Sequence, residues 1–148
     1  MLTGMTSVSG GSASVFGFDI RDHNQMNEIR KMTGICPQHD VLFDELTPRE
    51  HLQFFARIRG IGLQKIQSEV ENILDEVDLK DKADNISSKL SGGQKRKLSV
   101  GIALIGDPKL IFLDEPTAGV DAYSRRRLWT VLKKKKEGKV RIALSCRI

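Results

Sequence analysis

The sequence predicts an α/β protein with a parallel sheet core and an inserted layer of helices. Three observations carry this. Lys109 to Leu113 is too short and too apolar for a helix, so it reads as a buried strand. A second short apolar stretch, Gly34-Ile35-Cys36, lies far upstream and ends at Pro37. Between and after them run segments with helical spacing, and strand, helix, strand in that order implies a parallel core. The 148 residues suffice for one ordinary domain with a real core.

Along the chain, residues 1–22 read as small β elements. Ser7 to Ser14 is rich in Gly and Ser, and Ser14-Val15-Phe16 with Gly17 reads as a strand and turn. Met26 to Met32 fits a short helix. Thr47-Pro48-Arg49-Glu50 is a helix start: Thr47 can cap, Pro48 suits the first helical position and Glu50 completes a capping box. That helix runs to about Arg59 and stops near Gly60. In the next helix Ile66, Val70, Ile73, Leu74 and Val77 form one apolar face. A third helix begins at Ser91 and ends before Gly106-Asp107-Pro108. Asp121 caps a fourth, which ends near Gly138, and Val140 to Leu144 reads as a last strand.

Composition narrows the class. Hydrophobic residues at 39% and charged residues at 29% suit a soluble globular domain. No apolar run of about 18 residues is present, nor a signal peptide. Cys36 and Cys146 match no metal spacing, which points to a reducing, cytosolic face. The net charge of +5 is concentrated, because residues 125–148 hold ten Lys or Arg against one acid. Lys133 to Lys136 reads first as a solvated helix end, where cations suit the dipole. Attraction to anionic lipid headgroups or nucleic acid is the alternative.

Ser91-Gly92-Gly93 opens a helix with two glycines, so backbone can approach a ligand closely. Free N–H groups and the dipole there favour an anion, with phosphate the natural guest. Simple capping is the competing account. Asp114 and Glu115 follow the apolar strand, at the edge where α/β sheets bind ligands. Asp114 can hold Mg²⁺ and Glu115 can orient or deprotonate a water; the competing account is a surface turn before Pro116. Gln38, just after a strand, can offer its amide oxygen to a metal or water, or be a loop glutamine. His23, His39 and His51 have no partners at legible spacing and read as structural. Cys36 reads as a small core residue.

Taken in order, these segments resemble the nucleotide-binding domain of an ATP-binding cassette (ABC) transporter. Gln38 matches the Q-loop, Leu90 to Gln94 the signature, Leu110 to Asp114 the Walker B strand, Glu115 the catalytic glutamate and Ala118 to Asp121 the D-loop. Cys36 to Asp44, Gln94 to Val100, Thr117 to Asp121 and Tyr123 to Arg126 are similar to the A subfamily, whose full-length members move lipids. Ala122 departs from the Pro usual there. Thr117 to Arg126 and the Q-loop region speak against the competing resemblance, a cassette ATPase acting on DNA or ribosomes. So does the absence of long heptads, and no nucleic-acid partner is expected.

The resemblance implies a P-loop NTPase-like parallel sheet core, with a helical subdomain over about 47–90. The signature helix, Walker B strand, D-loop and following helix fall within about 91–148. It implies ATP and Mg²⁺ as cofactors, with Asp114 and Gln38 at the metal and Glu115 catalytic. Ser91, Gly92, Gly93, Gln94 and Asp121 would meet the nucleotide of a second nucleotide-binding domain in a head-to-tail sandwich. The other partners are the transmembrane domains of a multi-pass transporter, which places the chain on the cytoplasmic side of a membrane.

No G-x-x-x-x-G-K-[ST] loop occurs, and Met1 to Gly4 resembles the end of the helix that follows it. Where the family has a Thr-His switch, Leu144-Ser145 is followed by Cys146-Arg147-Ile148. The expectation is an incomplete core, weak ATP binding without turnover by the isolated chain, and an open apolar edge beside the Walker B strand. The alternative function is an inactive cassette acting as a docking or regulatory fragment.

Overall fold

The computed structural model describes residues 9–137 and the backbone of 141–145, with side chains through residue 135. A small antiparallel hairpin comes first, β1 (Ser14–Val15) against β2 (Phe18–Asp19). The helix expected from Met26 starts earlier, as α1 (His23–Met32). Asp22 is the reason: its carboxylate accepts the N–H groups of Asn24 at 2.8 Å and Gln25 at 3.2 Å, an N-cap the sequence reading passed over. Met26 and Ile29 of α1 pack with Ile20 and the hairpin's Val15 and Phe18.

The chain passes directly from α1 into β3 (Thr33–Cys36), one residue longer than expected. Helices α2 (Pro48–Ile58) and α3 (Leu63–Glu76) follow, then α4 (Gly92–Leu104). The capping box expected at α2 is present in both directions, Thr47 with the N–H of Glu50 and Glu50 with that of Thr47. After α4 come β4 (Leu110–Asp114), α5 (Ala122–Glu137) and β5 (Arg141–Ser145).

The three later strands form one parallel sheet in the order β3-β4-β5. The register pairs Cys36 with Leu113 and Leu113 with Leu144. Strand β4 is therefore central and hydrogen-bonded on both sides. This corrects the expectation of an open edge beside it: the position is filled by β5, whose connection through α5 returns the chain to the sheet.

One cluster of buried side chains runs through both layers, from Leu52 and Ala56 of α2 and Ile73 and Leu74 of α3, through Leu98 and Leu104 of α4, to Ile111 and Leu113 of β4 and Leu128 of α5. Each fully buried Leu or Ile is worth about 1.5–3 kcal/mol. Helix α4 is the axle of this arrangement. It is buried around most of its circumference, Arg96 and Lys97 included. Its close approach to β3 depends on Gly34, where a side chain would collide with the carbonyl of Ala103.

Candidate functional site

The site is built at the carboxyl ends of β3 and β4. The register that pairs Cys36 with Leu113 brings the loop starting at Pro37 alongside the turn starting at Asp114. Asp114 and Glu115 are half-buried and Gln38 is exposed. Glu115 has φ +47°, in the left-handed region that a side chain with a Cβ disfavours by roughly 1–2 kcal/mol. A strained residue persists only where its surroundings hold it.

Arg96 is what holds it. This residue of α4 is only 2% exposed. Its Nε and Nη2 donate to the carbonyl of Glu115 at 3.1 and 2.8 Å, and Nη2 also donates to that of Asp114. On the other side Nη1 donates to the carbonyls of Pro37 at 2.6 Å and Gln38 at 3.2 Å and to the Asp40 carboxylate at 3.0 Å. A guanidinium is a planar fork of five N–H donors, so one group can serve two loops at once.

The loop from Pro37 is held at its far end by His51, fully buried at the start of α2. Its Nε2 accepts the N–H of Phe43 at 2.9 Å and its Nδ1 lies 2.9 Å from the carbonyl of Thr47. Those partners require a neutral ring with the proton on Nδ1, and burial lowers its pKa accordingly. Cys36, at the loop's near end, is buried, and burial pushes its thiol up to about 11. That makes it a core residue, not a nucleophile, as expected.

At the start of α4, Ser91 and Gln94 form a reciprocal capping box. The Gln94 N–H reaches Ser91 Oγ at 3.3 Å, and the Ser91 N–H reaches Gln94 Oε1 at 2.9 Å. Gly92 next to it is exposed. Gly93 packs so closely on the turn before α5 that an added Cβ would lie 3.0 Å from the Gly119 carbonyl. Asp121 caps α5 by accepting the N–H of Ser124 at 2.9 Å, and that bond leads the causes lowering its pKa.

The eight residues singled out by sequence thus fall into two neighbouring groups. Gln38, Asp114 and Glu115 gather around Arg96. Ser91, Gly92, Gly93, Gln94 and Asp121 lie where α4 begins beside the turn into α5. Among the described residues no cluster of three or more His, Cys, Asp or Glu could hold a metal alone. Asp114 and Gln38 offer one carboxylate and one amide oxygen. That hard-donor set fits Mg²⁺, which takes one or two carboxylates and completes its shell with phosphate and water oxygens.

Sequence reasoning gave no role to Arg96, Asp40 or Gly34. Arg96 did carry a signal: it lies four and eight residues before Val100 and Leu104, on the buried side of its helix. A cation there must find partners, because an unpaired buried charge is costly.

Residues 1–118 match the family described as ABC transporter. Mouse phospholipid-transporting ATPase ABCA3 is 51% identical over 136 residues, which is 92% of this chain and 8% of that protein. Rat ATP-binding cassette sub-family A member 2 is 47% identical over 139 residues, 94% of this chain and 6% of its own length. ABC transporter A family member 9 of Arabidopsis thaliana is 49% identical over 138 residues, 93% of this chain and 14% of that protein. The chain therefore spans a small fraction of the curated relatives it matches. Among solved structures, an ATP-binding subunit of an ABC transporter superposes with a TM-score of 0.87 at 26% identity, covering 99% of this chain and 60% of the other. A dimeric ATP-binding cassette in a post-hydrolysis state, bound to ADP and Pi, superposes at 0.85 with 21% identity, over 98% and 66% of the two chains, and shares the fold.

Proposed function

The chain belongs to the ABC transporter family, within its A subfamily, and on that premise we propose that it is part of the ATP-binding and ATP-hydrolysing cassette of a transporter that drives lipid across a membrane. One observation supports this above the rest. A single buried guanidinium draws Asp114, Glu115 and the Gln38 loop together at the carboxyl edge of a parallel sheet, where such sheets bind ligands. The lipid assignment rests on the relatives, one of which is a phospholipid-transporting ATPase.

In this reading Glu115 orients the attacking water and takes its proton at the carboxylate. Its left-handed backbone turns it out of the line of β4. Mg²⁺, which we assign to Asp114 and Gln38, neutralises phosphate charge when bound. The N–H groups of Gly92 and Gly93 and the Ser91 hydroxyl donate to the phosphate of a nucleotide held by a second cassette, and the helix dipole favours its charge. Gln94 and Asp121 hold that face in shape. Residues of about 47–90 act as a helical subdomain facing the membrane segments, and by its family we assign the chain to the membrane's cytoplasmic side. Among the described residues no helix is long and apolar enough to cross a membrane.

The test is MgATP hydrolysis in the assembled transporter, wild type against Glu115→Gln. Turnover falling about 10²–10⁴-fold with nucleotide binding retained supports the reading. Unchanged turnover sinks it. Binding to a partner cassette with no turnover in either protein favours the docking fragment.

A further inference from the structure

The residues that would act on a partner's nucleotide and those that would act on this chain's own are joined by one helix and one side chain. Ser91 to Gly93 begin α4, and Arg96 follows one turn on. Its two donor edges face different loops. Nε and Nη2 serve the carbonyls of Asp114 and Glu115, while Nη1 serves Pro37, Gln38 and Asp40. The side chain is 3% exposed, so these protein acceptors, not solvent, satisfy its donors. Lys97, the next residue, fixes the other side of the helix by pairing with Asp78 at 3.0 Å. Helix α4 therefore cannot shift or roll at its first turn without moving the guanidinium, and the guanidinium cannot move without releasing or dragging both loops.

We infer that Arg96 is a positioning residue that makes α4 a rigid connection between the two groups of site residues, so that a displacement at the Ser91 cap is felt at Gln38 and at Glu115 together. The inference rests on the cassette reading for its functional meaning: it would let occupancy of one nucleotide site alter the geometry of the other. Its physical content stands without any nucleotide. A lysine at position 96 keeps the charge but is a single ammonium point without the planar fork, so it can hold one loop and not both.

The test is a double-mutant comparison by ¹⁵N NMR on the 148-residue chain. Ser91→Ala removes the cap and disturbs the start of α4. In the wild-type background, the amide signals of Gln38 and Glu115 are expected to shift with that of Gly119, which packs on Gly93 directly. In the Arg96→Lys background, the Gly119 shift should persist while those at Gln38 and Glu115 largely disappear. Equal shifts at all three positions in both backgrounds overturn the inference, as does a wild type in which Gln38 and Glu115 do not respond to Ser91→Ala. If Arg96→Lys does not fold, the guanidinium of the wild type is read instead. Separate, slowly exchanging Nη–H signals for Arg96 support a group held on two sides, and a single averaged signal like that of exposed Arg126 overturns it. ATP turnover enters neither measurement, so a failure here is distinct from a failure of the cassette reading, which Glu115→Gln tests.

Discussion

Gly34 and Ala103 touch through their backbones: a Cβ built on Gly34 would lie 2.0 Å from the Ala103 carbonyl oxygen and 3.1 Å from the ring of Pro108. Neither obstacle is a flexible side chain, so the helix itself would have to move. Gly34→Ala is expected to lower stability by about 2–3 kcal/mol, in the upper range for overpacking. The check is a urea midpoint for the purified chain. A change of less than a few tenths of a kcal/mol would mean that α4 is not fixed against β3.

Glu115 offers a trade between strain and chemistry. Glu115→Gly and Glu115→Ala both delete the carboxylate, but only glycine is at ease at φ +47°. The glycine variant should be the more stable of the two by about 1 kcal/mol. Both should be inactive in the assembled transporter. Thermal unfolding of the two side by side reads the difference, and equal stabilities would argue against a strained turn.

His51 predicts a pH dependence. Burial lowers its pKa from the ordinary 6.5, with the hydrogen bond to Thr47 and the neighbouring Glu50 opposing. The folded state therefore resists protonation more than the unfolded state does. The stability due to the neutral ring is full above about pH 6.5 and is lost as pH falls through the lower folded value. Wild type should lose more stability than His51→Gln between pH 7.5 and 5, with the Phe43 amide exchanging faster as the loop loosens. Parallel pH curves for the two proteins would contradict this.

The ion pairs of Arg49 and of Lys97 should differ in weight. Arg49 bridges Glu71 and Asp84 at the surface, and Asp84 is mostly exposed. Arg49→Ala is expected to cost no more than about 1 kcal/mol, diminishing with added salt. Lys97 is buried and depends on Asp78. Asp78→Asn, which keeps a residue that tolerates φ +59°, should cost about 2 kcal/mol or more by removing the negative charge that faces both the Lys97 ammonium and Arg127. Denaturation in low and high salt separates them, and equal costs would contradict the burial argument.

Much of the scaffold was legible in the residues. Thr47, Pro48 and Glu50 announced the start of α2, and Asp121 the start of α5, because caps are local chemistry between neighbours. Ile66, Val70 and Ile73 gave α3 by their spacing. Long-range pairing was harder to read. That β4 lies between β3 and β5 follows from hydrogen bonds between segments far apart in sequence, and the expected open edge came from not placing β5. The start of α1 was missed because Asp22 precedes a segment with few apolar residues. At the site, the acids and glycines were visible as types; the spacing of Arg96 with Val100 and Leu104 marked it as buried, but apart from Asp40 its partners are backbone carbonyls, which every residue has. No pattern of side chains can advertise such partners.

The order of strands in the sheet also sets the order in which the molecule can assemble. β3 and β4 are hydrogen-bonded neighbours, yet three helices and roughly 70 residues separate them, so their pairing closes a long loop before any ladder bond rewards it. The helices rest on local contacts and can form early. The parallel pairing that creates the site is therefore the step expected to close last. Variants that slow that last closure, Gly34→Ala foremost, should therefore act on yield and chaperone demand as much as on the stability of the finished protein.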